Sequence, residues 1–260
     1  MMNILFFVLE LQCQGLSVNV MLNDIVMFSD PHCTDKTTQV NVNPWIIKGD
    51  NHLQVQLGLP IEVKTSHNNR ASQMFELRLA SGVRGKEPGP EDRRAEYILN
   101  TTDKNFKFNE LKTVWQKNFE VSPAFGRWAW QDAIPYSEAE HQAVMSLLNQ
   151  IHSALSNKNS KKLRSILDLK NKEMSRSMGV DSAMMLSGQD SFFTSYFNNP
   201  DWKIEPLDPS KLRFIPEASG RLIKVTDLNG NPPLRGAAGE RPFLMEIIVS
   251  NINGTWHIIR

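Results

Sequence analysis

The sequence has few cysteines, no long apolar run and almost no excess of charge of either sign. Its 260 residues include only two cysteines, too few for a disulfide framework. No stretch approaches the roughly 18 apolar residues that a membrane-spanning helix needs. The 29 basic and 28 acidic side chains leave a net charge of +1, whereas proteins that bind nucleic acid usually carry a clear basic excess. We therefore expect neither nucleic acid nor a membrane as the partner.

The standard motifs of catalysis and nucleotide binding are also missing. The sequence contains no GxGxxG, GxxxxGK[ST], HExxH or GxSxG pattern, each of which marks a particular chemistry. The glycine-rich residues 235–239 precede a strand pattern rather than a helix, so we expect a hairpin loop there and not a phosphate-binding loop. The six histidines are scattered. These absences predict a non-enzymatic protein without a cofactor or a metal.

Two pairs of residues could still carry chemistry, although a structural role is the favoured interpretation of both. His32 next to Cys33 could form a thiolate pair, which needs a base within hydrogen-bond reach. Adjacent residues on an extended chain point to opposite sides, which argues against that pair. Asp190 and Tyr196 could act as acid and base in a pocket; a helix cap and a half-buried tyrosine are the more ordinary roles.

The cysteines and the start of the chain bear on the compartment. Cys13 and Cys33 have no CxxC spacing, and two free thiols in a reducing cytoplasm are favoured over a single bridge. Residues 1–10 contain a short apolar run, residues 4–9, without a preceding lysine or arginine and without a small-residue cleavage site after it, so a buried strand is favoured over a signal peptide. The expected location is cytoplasmic.

The first part of the chain shows the period-two pattern of β-strands. Apolar residues alternate with polar ones at residues 16–22, 53–57 and 75–79, and turn residues such as Asn23 and Asp24 separate the runs. Further strands are expected near residues 97–99 and 114–121. The pattern predicts an all-β sandwich, jelly-roll-like, over residues 1–122.

The pattern changes after an aromatic segment, residues 123–136, which we interpret as a junction. Ser137 and Glu140 have the spacing of a capping box. The apolar residues that follow recur with helical spacing over residues 144–155, then from Ser160 to Met174, and from Ser187 onward. Strands are expected at residues 212–215, 221–226, 243–250 and 255–259. Residues 137–260 are therefore predicted to form an α+β domain with helices packed on an antiparallel sheet.

Three segments are candidate partner-binding surfaces. Residues 158–176 contain seven basic and two acidic side chains; a solvated helix face is the common explanation, and an acidic protein partner is the functional one. Four methionines lie at or beyond the end of this segment, between residues 174 and 185, and core packing is favoured for them over an adaptable contact surface. Residues 81–95 are rich in Gly, Pro and charge, which indicates an exposed loop. The candidate side chains are Lys158, Lys161, Lys162, Arg164, Lys170, Lys172, Arg176, Met174, Met178, Met184, Met185, Arg84, Lys86, Arg93 and Arg94.

Two stretches resemble known folds. Residues 22–25 and 43–57, with a Gly-Asp-Asn turn before the Leu53, Val55 and Leu57 alternation, resemble a galactose-binding-like jelly roll. The helix at residues 144–155 and the final Gly254-Thr-Trp-His-Ile258 resemble the cystatin-like or nuclear-transport-factor-like α+β fold. The whole layout is similar to two-domain immunity proteins of bacterial type VI secretion systems, and it transfers no residue role.

The resemblance implies a binder rather than an enzyme. An immunity protein would neutralise a cognate secreted toxin by direct protein–protein contact. The first alternative is a carbohydrate-binding or cell-surface module, which would need exposed aromatic residues such as Trp45 or Trp115. The second is a small-molecule-binding or enzymatic pocket in the α+β domain. Fold analogy alone does not decide among them.

Overall fold

The computed structural model describes residues 5–58, 73–83, 86, 88–100, 113–122 and 125–260. The chain divides into two compact units, Met1–Arg127 and Trp128–Arg260, and each is described by itself. Over the described ranges the chain is a mixed α+β protein with four antiparallel sheets and four α-helices. The domain boundaries predicted from the sequence stay predictions.

Eight strands are described in Met1–Arg127. They are β1 (Leu5–Gln14), β2 (Leu16–Leu22), β3 (Ile25–Cys33), β4 (Lys36–Asn41), β5 (Gly49–Gly58), β6 (Met74–Val83), β7 (Arg93–Asn100) and β8 (Thr113–Val121). Two four-stranded sheets result, with the orders β4-β1-β6-β7 and β3-β2-β5-β8. Burial alternates along β2, β5 and β6, so the period-two pattern correctly predicted strands with one buried face.

Sequence signals at the start of this unit also agree with the structure. Residues 5–9 of the apolar run lie in β1, in which Phe7, Leu9 and Leu11 are buried. Asn23 and Asp24 both have positive φ, 54° and 61°, and they join β2 to β3 in a tight turn. Two central residues with positive φ are the requirement of a type I′ turn, which matches the twist of a hairpin.

The expectation of two free thiols is wrong. Cys13 at the end of β1 and Cys33 at the end of β3 form a disulfide, and both are fully buried. Gly15, with a φ of 68°, turns the chain from β1 into β2, and its N–H donates to the Cys33 carbonyl at 2.6 Å. That turn brings Cys33 beside Cys13 although the two are 20 residues apart. The bridge joins the two sheets, and it also removes the His32–Cys33 thiolate hypothesis.

The exposed loop predicted at residues 81–95 is shorter than expected. Strand β6 continues to Val83 and β7 begins at Arg93, because Ser81 and Gly82 fit inside the sheet as buried residues. Pro90–Asp92 forms one 3₁₀ turn, closed by the Asp92 carboxylate, which accepts from the Gly89 N–H at 2.9 Å. Residues 84, 85 and 87 lie outside the described residues.

Four helices and seven strands make up Trp128–Arg260. They are α1 (His141–Ser156), α2 (Ser160–Ile166), α3 (Asp168–Met178), α4 (Ser182–Phe197), β9 (Trp202–Ile204), β10 (Leu212–Glu217), β11 (Leu222–Asp227), β12 (Leu234–Ala238), β13 (Arg241–Met245), β14 (Ile247–Ile252) and β15 (Thr255–Ile258). The strands form sheets with the orders β10-β11-β14-β15 and β13-β12-β9.

Helix α1 supplies much of the core of this unit. Its predicted apolar face is buried at Val144, Leu148, Ile151 and Leu155, which pack in one cluster with residues of α2, α4 and both sheets. One half of the predicted capping box is present, since the Glu140 carboxylate accepts from the Ser137 N–H at 3.1 Å. The helical period therefore predicted this element and its buried face correctly.

The later helices differ from the prediction. The single helix expected from Ser160 is two helices, α2 and α3, because Leu167 leaves the helical conformation between them with a ψ of 8°. Helix α4 begins at Ser182 rather than Ser187, since the Asp181 carboxylate caps it by accepting from the Ala183 N–H at 2.8 Å. The connection between α3 and α4 is therefore short. It consists of Gly179, in the left-handed conformation, and the two residues that follow it.

The strands of this unit also correct two expectations. Residues 243–250 form two strands, β13 and β14, interrupted at Glu246. The glycine-rich residues 235–238 are part of β12 instead of a hairpin loop, because Gly236 lies so close to β9 that only a residue without Cβ fits there. The turn at Asn253 and Gly254, with φ of 51° and 82°, joins β14 to β15, so the predicted terminal hairpin is confirmed.

Candidate functional site

A pocket of about 680 Å³ opens beside helices α3 and α4. Its walls come from both helices, from β13 and from the last residue of the chain. Its apolar lining residues are Leu167, Met174, Met178, Val180, Met184, Met185, Phe192, Phe193, Phe243, Leu244 and Met245. Ligand pockets are typically concave, mostly apolar and of this size, so this is the best-supported candidate site among the described residues.

Large apolar side chains at the rim of the pocket are open to solvent. The exposed fractions are 38% for Met178, 67% for Met184, 44% for Phe192 and 60% for Leu244. The first three come from α3 and α4 and the last from β13, so the fold gathers them from distant parts of the sequence. Single exposed apolar residues are ordinary, but several around one concavity indicate a contact surface.

Charged side chains also line the pocket. Lys170 and Arg260 line it, with Glu246 as the acidic lining residue. Burial lowers the pKa of Lys170, and the positive charge of Arg260 lowers it further, whereas Glu246 acts in the opposite direction. Within the described residues the Lys170 ammonium makes no ion pair, so its charge is available to a ligand.

Arg260 is held by a buried carboxylate. Its Nη1 lies 3.4 Å from an oxygen of Glu173, and the side chains are 10% and 5% exposed. Burial lowers the pKa of Arg260 to about 10, and the attraction of Glu173 opposes that shift. Glu173 also accepts from the Ala129 N–H at 2.7 Å. Arg260 is therefore engaged in the structure of the unit, in contrast to Lys170.

The turn between α3 and α4 fixes the position of the methionines. Gly179 ends α3 with a φ of 58°, and the Val180 N–H donates back to the Ser175 carbonyl at 3.0 Å. The Ser175 hydroxyl donates to the Val180 carbonyl at 2.6 Å. Glycine in the left-handed conformation is the usual helix end, and here it places Met178 and Met184 on opposite sides of one turn.

The predicted basic helix does not form one free cationic face. Arg164 pairs with Asp190, Lys172 with Asp168 at 2.7 Å, and Arg176 with Glu173 at 3.8 Å. The guanidinium of Arg176 also lies 4.3 Å from the centre of the buried Trp128 ring. Lys158 donates to the Phe197 carbonyl at 2.7 Å. Lys161 and Lys162 are exposed on α2, and Lys170 lies in the pocket.

Two of the candidate residues around the predicted loop, Arg93 and Arg94, begin strand β7. Arg93 pairs with Glu96 at 2.9 Å, and Arg94 donates through Nε to the Ser81 hydroxyl at 2.9 Å. Lys86 is exposed, and its backbone N–H donates to the Val83 carbonyl at 2.9 Å. Arg84 lies outside the described residues. Arg93 and Arg94 are therefore engaged in contacts within their own sheet.

The residues considered for chemistry have structural partners. Asp190 is paired with Arg164, and the Tyr196 hydroxyl donates to the Pro242 carbonyl at 2.9 Å. Over the described ranges, no group of three or more His, Cys, Asp or Glu residues could hold a metal ion. Nor does any described helix combine the length and the apolar character needed to cross a membrane.

Comparison with known proteins adds no relative. No protein-family model, no curated protein and no solved structure matches this chain. The assignment of the site therefore rests on its geometry.

Sequence reasoning found part of this site. It singled out all four methionines, and Met178 and Met184 are exposed at the rim rather than in the core. It treated Lys170 as one of several surface charges and missed Phe192, Leu244 and Arg260. The signal for Leu244 and Arg260 was weak, because both approach α3 and α4 only through the tertiary fold.

Proposed function

We propose that the chain is a non-enzymatic binding protein whose contact surface is the rim of the methionine-lined pocket. The observation that carries the proposal is the convergence of Met178, Met184, Phe192 and Leu244, all substantially exposed, around one concavity. Methionine and phenylalanine are enriched at protein interfaces, and the flexible thioether adapts to a partner's shape. A protein segment with apolar side chains fits this surface.

In this proposal the protein is an immunity protein that neutralises a toxin secreted by a bacterial type VI system. The layout-level resemblance of the sequence suggests that role. Lys161 and Lys162, exposed on α2, would attract acidic groups of the toxin and speed the encounter. The finer fold assignments, a jelly-roll-like first half and a cystatin-like or nuclear-transport-factor-like second half, belong to the same proposal.

The disulfide affects the compartment proposed for this role. Cytoplasmic disulfides are rare, whereas those of oxidising compartments persist. The Cys13–Cys33 bridge therefore favours an oxidising compartment, such as a bacterial periplasm, over the cytoplasmic location expected from two free thiols. Mass spectrometry of protein alkylated inside its native cells would decide this, because a free-thiol form would support the cytoplasm.

A carbohydrate-binding role has less support than the other alternative. Trp45 is buried, and the Trp115 ring stacks on Tyr97 at 5.2 Å between centroids, so neither offers an open platform for a sugar. A small-molecule role is favoured by one observation: the Lys170 ammonium lines a mostly apolar pocket and has no ion-pair partner among the described residues.

Co-purification with the product of the adjacent gene tests the proposal. We expect the adjacent gene to encode a large secreted toxin. We also expect Leu244→Glu to weaken the complex at least about tenfold, because a charge would replace an apolar contact that is buried once the toxin binds. The matched control is Val114→Glu, since Val114 is 57% exposed and belongs to the other unit. A glycosidase or transporter gene as neighbour, or no complex with the toxin, would overturn the immunity proposal. A complex that Leu244→Glu leaves intact would overturn the assignment of this surface.

A further inference from the structure

The methionine-lined pocket has the form of a site for an amphiphile. Its wall is mostly apolar, and its volume of about 680 Å³ is within the range of small-molecule sites. The charged lining residues are Lys170, Arg260 and Glu246, and Arg260 and Glu246 lie close enough to Lys170 to act on its pKa. A ligand that fills the pocket would therefore present an apolar body and one polar end.

The charged side chains of the pocket favour a negatively charged ligand. Two cationic side chains face one acidic one, and Arg260 is already bound to Glu173 at 3.4 Å. Glu246 is exposed and forms no ion pair with Lys170 within the described residues. An anion would thus gain the partly buried ammonium of Lys170 as a partner, whereas a cation would be repelled by it and by Arg260.

We infer that this pocket binds a medium-chain alkyl carboxylate, with the carboxylate on the Lys170 ammonium and the chain against Met174, Met178, Met184 and Met185. The methionines are unbranched and adaptable, which suits a flexible chain better than a rigid ring. A single ammonium acts as a point charge, which suits one carboxylate. This inference goes beyond the proposed protein partner and does not depend on its identity.

Calorimetric titration of the full chain with decanoate, 1-decanol and decyltrimethylammonium tests the inference. We expect saturable binding of decanoate, at least about tenfold weaker binding of the alcohol, and still weaker binding of the cation, because a hydrogen bond to a charged group contributes on this scale. Equal affinity for decanoate and decanol would overturn the role of Lys170. No decanoate binding would overturn the site as a whole.

The location is tested by variants and by NMR of ¹³C-methyl methionine. Decanoate should shift the methyl signals of the four pocket methionines and leave those of Met21 and Met27, in the other unit, in place. Lys170→Met should weaken decanoate binding at least about tenfold. Lys172→Met, which removes an exposed lysine of the same helix paired with Asp168, is the matched control.

Obstruction of the pocket gives a second variant test. Gly188 lines the pocket, and a Cβ at this position would meet nothing within 4 Å. Gly188→Phe should therefore fill the space and abolish decanoate binding without unfolding the helix. Retained binding in Gly188→Phe, or equal losses in Lys170→Met and Lys172→Met, would overturn the location. These results are separate from co-purification with the toxin, so each proposal can fail alone.

Discussion

The carboxylate of Glu173 on α3 lies 3.4 Å from the guanidinium of Arg260, the last residue of the chain, and both side chains are almost completely buried. Glu173 also accepts from the Ala129 N–H and lies 3.8 Å from Arg176. One buried carboxylate thus compensates two guanidinium groups. This network ties α3, which lines the pocket, to Arg260.

The first prediction concerns this network. Glu173→Gln should lower the free energy of unfolding by about 3 kcal/mol or more, because it removes the buried negative charge that lies beside the guanidinium of Arg260. Urea denaturation measures the loss. Asp168→Asn is the matched control, because its pair with Lys172 on the same helix is exposed and such pairs contribute only about 0–1 kcal/mol. Similar losses in the two variants would contradict the structural role of Glu173.

The second prediction concerns the disulfide. Replacing both cysteines in Cys13→Ala/Cys33→Ala should lower the free energy of unfolding by about 3 kcal/mol, since a bridge over a loop of this length restricts the unfolded chain by that amount. Thermal unfolding with and without dithiothreitol provides the measurement. The wild type should lose stability on reduction, and the double variant should not respond. A wild type that is insensitive to complete reduction would contradict the prediction.

The third prediction compares two glycines. Gly188→Ala should raise the free energy of unfolding by about 0.5–1 kcal/mol, because glycine inside a helix is less favourable than alanine and the added methyl group meets open space. Gly236→Ala should lower it, because its Cβ would collide with the Lys203 carbonyl oxygen of the paired strand. Urea midpoints measure both, and effects of the same sign would contradict the packing described for β12.

The elements that the sequence pattern predicted correctly are those stabilised by local interactions. The alternation at residues 16–22 gave β2 with its buried face, and the helical spacing after Ser137 gave α1. The pair Asn253 and Gly254 gave the final hairpin because both positions need positive φ. In each case the stabilising contacts lie within a few residues or on one repeated face, so the sequence itself carries the information.

Features that depend on tertiary contacts could not be predicted in the same way. The Cys13–Cys33 bridge depends on the turn at Gly15, which brings β3 to β1. The pocket depends on β13 and Arg260 reaching α3 and α4 from far along the chain. The break at Leu167 has no glycine or proline to mark it. No periodicity encodes such approaches, so the sequence singled out the methionines but not the contribution of Arg260 to their pocket.

The fourth prediction concerns pH and the turn after β11. Burial acts to raise the pKa of Asp227, but hydrogen bonds from Asn231, Asn229 and Arg235 outweigh it and lower the pKa from 3.8 to about 2. The Asn231 and Asn229 N–H groups each donate at 2.8 Å, and Arg235 Nη1 donates at 2.7 Å. The folded state therefore favours the ionised carboxylate more than the unfolded state does.

A carboxylate whose pKa is lowered by folding stabilises the protein above its unfolded pKa, and the contribution disappears as pH falls toward the folded value. Asp227→Asn should therefore be less stable than the wild type at about pH 6, and the difference should shrink between about pH 4 and pH 2. Urea midpoints of both proteins across this range measure it. A difference that stays constant down to about pH 2 would show that the ionised form of Asp227 is not what stabilises the turn.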